Sequence, residues 1–399
     1  AYTSNKYPNQ LTWSKTKSSG AEVDMWTNVT LASVLELDGD KGEINKLVRF
    51  DNQLLALQDT GLAHILYNEN VQVSTENGVP VEIANSGKVQ GKRYIAESIG
   101  CSNKWSVVTT SMGIYFMDSS NKGIYMYNGK LSNLSGSLGF NSWAMDNIPA
   151  IHTVGWNPVD FSDFVTYYDK MNQDVLFINA NECLAYSEKL GVFTSFYDYY
   201  RTPYFVSLED TGVWIDKSRD TESEEEDYKL WKHQQGEYCN FFDVNRPYST
   251  ILVGNFEPQL DKTFTNLEFR ACVEGDGELD QETGKFTPYT PFDFLETWNE
   301  YQHGIASIGI RTRHAAMIHH SGTDASLKRK FRIWRCDIPR DNATVDPEKE
   351  APLGISRFRP HPLDRMRNPW IYLSLHKNPE DGIPMRKAEI HDIVMTYFG

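Results

Sequence analysis

The chain has 399 residues, of which 40% are hydrophobic and 23% charged, and its net charge is −15. It is too long for one ordinary core and too apolar for disorder, so two or three globular domains are expected. The acidic surplus excludes a general nucleic-acid binder, which relies on clustered Lys and Arg, and no apolar run approaches the ~20 residues of a bilayer-spanning helix.

Aromatic residues make up 13%, with 21 Tyr, 20 Phe and 10 Trp. Such residues favour half-buried pleated surfaces and interfaces. The five cysteines, Cys101, Cys183, Cys239, Cys272 and Cys336, are scattered without a CxxC pair. They read as thiols made in a reducing compartment rather than as zinc ligands. The opening residues Ala1-Tyr2-Thr3-Ser4-Asn5-Lys6 have neither an initiator Met nor a signal pattern. They read like the interior of a protein, so a fragment of a longer chain is expected.

In chain order, short apolar runs separated by turn residues dominate, which predicts an all-β protein. Leu54–Leu57, Asp59-Thr60-Gly61 and Ile65–Asn68 read as strand, turn and returning strand. Ile114–Met117, Asn121-Lys122-Gly123 and Ile124–Tyr127 repeat the pattern, as do Val175–Ile178, Asn181-Glu182 and Cys183–Tyr186. A weaker copy follows at Phe205–Leu208, Asp210-Thr211-Gly212 and Val213–Ile215. Hairpins beginning at 54, 114 and 175 recur at a nearly constant interval, as a propeller-like array of small sheets would leave in sequence. The polar stretch 217–228 carries Glu224-Glu225-Glu226-Asp227 and reads as an exposed acidic loop.

The pattern changes near Asn245-Arg246-Pro247. Strands are predicted at 248–253, 267–272, 331–336, 370–375 and 390–398, with long polar loops at 273–288 and 337–366. Several alternate apolar with polar residues, as half-exposed antiparallel strands do. The expectation is a propeller-like β domain over 1–244 and a β-sandwich-like domain over 245–399.

Chemistry is sparse. In Arg313-His314-Ala315-Ala316-Met317-Ile318-His319-His320 the zincin spacing HExxH is absent. On a strand His314 and His320 share a face, but no third or fourth ligand can be nominated, so a polar strand end is the better reading. Asp38-Gly39-Asp40-Lys41-Gly42-Glu43 and Asp276-Gly277-Glu278-Leu279-Asp280 resemble calcium loops, yet Arg49 and Thr287 stand at the twelfth positions. Gly-Asp turns explain both. No GxSxG, Walker A, GxGxxG or SxDxGxxW pattern occurs. A carboxylate pair for glycoside hydrolysis is not excluded by sequence. The triplets at Asn28, Asn133 and Asn342 fit glycosylation acceptors. No catalytic, cofactor-binding or metal-ligating residue is assigned.

Several stretches carry a resemblance: Trp13-Ser14-Lys15-Thr16-Lys17 running to Asp24-Met25-Trp26-Thr27, Glu82–Val89, and Ile99-Gly100-Cys101-Ser102-Asn103-Lys104-Trp105. With Leu131–Ser135, Gly139–Trp143, Arg365–Leu373 and Glu389–Val394, they resemble the tail muzzle proteins of crAss-like bacteriophages. These proteins are considerably longer, so the resemblance implies a C-terminal fragment. It further implies a non-enzymatic virion protein at the distal end of a short tail, like the tail nozzle of other phages. There it would form a homo-oligomeric ring, a hexamer, against other tail proteins, closing the channel and passing DNA during ejection without holding it. The rival readings are a carbohydrate-binding adhesin contacting a host surface glycan and a propeller glycoside hydrolase.

Overall fold

Ile114–Asp118 and Gly123–Tyr127 send successive side chains to opposite faces, as every strand does, yet both faces are buried almost throughout. A strand buried on both faces must lie in a sheet sandwiched between others. The computed structural model provides that setting. It describes residues 5–15, 24–67, 71–74, 80–83, 89–149, 164–179, 182–197, 204–208, 211–218, 227–232, 235–242, 244–279, 281–282, 284–310, 324–341, 364–379 and 385–398. The chain is all-β, with two compact units dividing between Gln234 and Gln235.

The first unit carries three consecutive four-stranded antiparallel meanders. The first sheet is Ile44–Phe50, Gln53–Gln58, Leu62–Tyr67 and Val89–Ala96. A separate hairpin, Val71–Ser74 with Pro80–Ile83, is inserted before its last strand. The second sheet is Val108–Thr109, Ile114–Asp118, Gly123–Tyr127 and Leu131–Asn133, and the third Val165–Asp169, Asp174–Ile178, Cys183–Ser187 and Val192–Tyr197. A three-stranded sheet follows, Tyr204–Leu208, Thr211–Ser218 and Asp227–Lys232. The hairpins read from the sequence at 54, 114 and 175 are the middle pair of each four-stranded sheet.

The alternation of side chains fixes the packing. Ile114 and Phe116 face Leu55, Leu57 and Leu62 of the first sheet. Tyr115 and Met117 face Val175, Phe177 and Leu184 of the third. The free face of the first sheet is covered by a small N-terminal pair, Gln10–Thr12 with Val34–Glu36, through Leu11, Leu35 and Leu37.

The first strands of successive sheets also lie against one another. Lys46 Nζ donates to the carbonyls of Lys104 (3.0 Å) and Val107 (2.8 Å), joining the first sheet to the entry of the second. Asn103 Nδ2 donates to Phe164 O (2.6 Å) and Thr166 Oγ1 to Ser106 O (2.9 Å), joining that entry to the third. Burial lowers the Lys46 ammonium below the usual lysine range.

Two hairpin turns share one chemistry. Asp118 Oδ1 accepts the N–H of Ser120 and Asn121, and Asp169 Oδ1 those of Met171 and Asn172. The Asn amide closes back onto the other carboxylate oxygen in both, at 2.7 and 2.8 Å. The next residue, Lys122 (φ 48°) or Gln173 (φ 59°), takes the left-handed conformation that returns the chain.

The stretch 217–228 differs from the loop expected of it. Lys217 pairs with Tyr228 and Ser218 with Asp227, so both ends belong to a hairpin ladder, and 219–226 lie outside the described residues. Backbone pairing is indifferent to side-chain charge, which was the signal read there.

The second unit begins upstream of the 244/245 boundary expected from sequence. Asn240–Phe241 pairs with Val244–Asn245, and Tyr238 bridges to Met385. Its main sheet has nine strands. The hydrogen-bonded order begins with Tyr248–Gly254, Ile371–Lys377, Phe294–Trp298 and His303–Ile310, then continues with Asp324–Lys330, Ile333–Asp337 and Lys262–Val273. Lys262–Val273 pairs in turn with Arg367–Asn368 and with Ala388–Phe398. The two halves join through one parallel contact, Ser307–Ile310 with Asp324–Leu327. Both halves feed a single core containing Phe264, Phe269, Phe292, Leu295, Trp334 and Leu373. The unit is therefore one continuous ladder in its hydrogen bonding around a single core. The loop expected at 273–288 contains a short hairpin, Gly277–Leu279 with Phe286–Pro288. Most of the loop expected at 337–366 lies outside the described residues.

Candidate functional site

Asp38, Asp40, Asp276 and Glu278 of the calcium-like loops have partners within the chain. Asp38 pairs with Lys92, Asp40 with Lys41 at 3.3 Å, and the Glu43 N–H donates to Asp59. A Cβ on Gly42 would meet the Asp59 carboxylate at 2.0 Å, so the glycine permits that contact. Asp276 pairs with Arg329 at 3.4 Å, and Glu278 accepts the Tyr289 hydroxyl at 2.9 Å. Asp280, His314, His319, His320 and Glu224-Glu225-Glu226 lie outside the described residues. Asp227 stands opposite Ser218 in the ladder.

Two carboxylate arrangements in the first unit were not foreseen. Asp169 and Asp174 pair directly across a hairpin. Burial raises the Asp174 carboxyl above its ordinary range, and Tyr197 OH donates to it at 3.2 Å. Asp169 is occupied by its own turn. Glu188 accepts the Thr110 hydroxyl and bonds Tyr115 and Tyr168. Burial drives Tyr115 well above the usual phenol range and Tyr168 to about 12, so both hydroxyls remain donors at neutral pH. These groups tie the second sheet to the third, and that is sufficient account of them.

The outer face of the second unit's sheet is built differently. Leu295, Ala306, Ile371, Leu373 and Leu375 point to the core, so their neighbours Glu296, Trp298, Ile305, Tyr372, Ser374 and His376 take the other face. Glu296 occupies the middle strand. His303 Nε2–H donates to its Oε1 at 2.7 Å from one neighbouring strand, and His376 Nε2 lies 3.6 Å from its Oε2 on the other. Because the two imidazoles approach from opposite neighbours, they do not converge on one cation. No group of three or more His, Cys, Asp or Glu suited to a metal occurs among the described residues. Beside them Trp298 stacks on Tyr372 (5.3 Å, 16°), and Trp370 meets Tyr372 edge-on (5.2 Å, 76°). Ile251, Val253 and Ile305 are exposed nearby. The exposed part of this face, Ile251, Val253 and Ile305 beside the half-buried Trp370 and Tyr372, suits contact with another molecule, whereas Trp298 and Ser374 are buried in it.

The Glu296 carboxyl is held below the usual carboxylate range, first by the His303 hydrogen bond and then by the charges of both histidines against an opposing burial cost. A depressed folded pKa contributes stability present above the unfolded value of about 4.3 and lost as pH falls through the folded value. Glu296→Gln is therefore expected to cost roughly 1 kcal/mol at neutral pH. The difference should close in urea melts near pH 3. A gap that persists there would mean that Glu296 acts through packing alone.

Comparison with known proteins agrees with the two-unit division. The family described as Crassvirus muzzle protein matches residues 1–218, and the Crassvirus muzzle protein C-terminal domain matches residues 236–341. The "Muzzle protein" of Bacteroides phage crAss001 is 38% identical over 395 residues, covering 99% of this chain and 25% of that protein. The chain thus spans a quarter of that relative's length. With one family match over more than half of the chain and a second inside the other unit, the chain belongs to the Crassvirus muzzle protein family.

Proposed function

We propose that this chain is a structural, non-enzymatic component of a phage virion, placed at the distal end of a short tail. The family membership of both units is the observation that supports this reading most directly. In that reading the four-stranded sheets are blades of a propeller whose closure involves further chain or neighbouring copies. Copies form a ring, a hexamer, against other tail proteins, which shuts the channel before infection and passes DNA during ejection. A charge of −15 per copy repels DNA phosphates, so the genome slides without adhering. The buried carboxylates of the first unit are engaged in turns and in hydrogen bonds within their own sheet, which fits a scaffold better than a hydrolase.

Electron microscopy of virions labelled with an antibody against this chain tests the placement. Label is expected at the tail tip, and label confined to the capsid would refute it. The half-buried Trp370 and Tyr372 support a second reading, in which the same tail component also contacts a host glycan. Retention of the chain on a glycan array, lost on Tyr372→Ala, would support that reading.

A further inference from the structure

At one end of the second unit, a cleft of about 580 Å³ is lined by Thr263, Tyr301, Gln302, Arg340, Asp364, Arg365 and Arg367. Three guanidinium groups against one carboxylate make it a positive focus on a strongly acidic chain. The backbones that carry the arginines are held in place. Gln302, 8% exposed, donates through Nε2 to Arg365 O at 2.9 Å and accepts the Arg367 N–H at 2.7 Å. Asp341, 1% exposed, accepts the His303 N–H, and its own N–H donates to Asp364 O at 2.9 Å. Arg365 and Arg367 are exposed and alternate with the buried Met366 and Asn368, so both side chains lie on the solvent side. Arg367 also meets Asp261 at 3.9 Å, a contact between two well-exposed side chains that is weak.

Such a site takes carboxylates or phosphates, to which guanidinium groups bind with paired hydrogen bonds. The chain itself carries a matching group. Residues 220–227 hold six carboxylates in eight positions, and they follow directly on the strand that ends at Ser218, whose partner in the ladder is Asp227. We infer that the cleft of Arg340, Arg365 and Arg367 receives the acidic segment 220–227 of a second copy of this chain. This rests on the ring reading, since a ring sets neighbouring copies side by side and a head-to-tail contact repeated around it closes the assembly. The contact is electrostatic, so it selects register and neighbour more than it supplies affinity.

A labelled peptide of residues 220–228 titrated with the 399-residue chain tests the cleft. At low ionic strength it is expected to saturate. Binding should weaken at least tenfold in the variant Arg365→Glu with Arg367→Glu, and by less in Arg365→Gln with Arg367→Gln. Both pairs lie on exposed side chains, and an unchanged melting curve shows that the fold survives. Absence of saturable binding, or equal affinity for the Glu variant, overturns the proposal. Tighter binding of a short DNA duplex that displaces the peptide also overturns it, since the cleft would then serve phosphates.

Sedimentation at rising concentration tests the second copy. Self-association of the chain should vanish when Glu224, Glu225 and Glu226 become Gln. If the wild type stays monomeric and the peptide binds only that Gln variant, the segment docks within its own chain and the proposal falls. The titration uses the isolated chain and the virion labelling uses the particle, so failure of the cleft is distinguishable from failure of the ring.

Discussion

Gly100→Ala is expected to destabilise the first unit by about 3 kcal/mol or more, a cost typical of forced overpacking against atoms that cannot move aside. A Cβ on Gly100 would stand 2.3 Å from Gln58 O, 2.5 Å from Gly61 N and 2.7 Å from the carbonyl carbon of Asp59. All three are backbone atoms of the turn that joins two strands of the first sheet. The glycine is pinned there: its N–H donates to the buried Asp118 (3.2 Å), and the Cys101 N–H donates to Gln58 O (2.8 Å). Relief would have to part the second sheet's entry from the first sheet. Gly129→Ala is the control. Its φ of 96° disfavours a side chain, but a Cβ there meets nothing within 4 Å, so only the backbone cost of roughly 1 kcal/mol remains. Calorimetry should show a fall on the order of 10 °C for the first variant and a few degrees for the second. Equal shifts would remove the steric argument for Gly100.

The hairpins at 54, 114 and 175 were legible because each is the middle pair of its sheet. Burial on both faces forces a run of apolar residues, and the turn between must be polar and permissive. The flanking strands of the second sheet were not legible because they are too short. Val108–Thr109 and Leu131–Asn133 have two and three residues, too few for any period to register. The ends of 217–228 were misread because six carboxylates outweighed the alternation in Tyr228-Lys229-Leu230-Trp231. In the second unit half-exposed alternation announced strands, but no local pattern could announce the parallel contact of Ser307–Ile310 with Asp324–Leu327 that makes two sheets one.

The polar face was invisible for a related reason. Glu296 and His303 are separated by a tight turn, but His376 arrives only because Ile371–Lys377 inserts beside Phe294–Trp298 in the strand order. Sequence spacing carries no record of that insertion. Arg365 and Arg367 lie within a stretch that the sequence offered only as a resemblance. Arg340 joins them through contacts organised around two buried polar residues, Gln302 and Asp341. By contrast, the motifs that did attract attention, the Gly-Asp loops, are turns in which Asp38, Asp40 and Asp276 already have partners.

Trp334→Ala is expected to remove about 3–5 kcal/mol, the usual range for truncating a buried tryptophan. Trp334 is 1% exposed and among the largest fully buried side chains. It stacks parallel to Phe269 (6.5 Å, 13°), and Arg329 lies over its outer side at 5.3 Å. Its indole N–H donates to Ala271 O at 3.1 Å, beside the register shift between Arg270 and Ala271 where the ladder to the last strand is interrupted. A bulge leaves backbone groups without ladder partners, and the indole supplies one at that place. Truncation therefore opens a cavity in the core shared by both halves of the sheet and also strips a buried carbonyl of its donor. Trp334→Phe retains most of the packing and loses the hydrogen bond alone, so it should cost on the order of 1–2 kcal/mol. Because residues 235–399 form their own compact unit, the loss should move one calorimetric transition downward by roughly 10 °C and leave that of the first unit in place. Two transitions that shifted together would show that the units unfold as one.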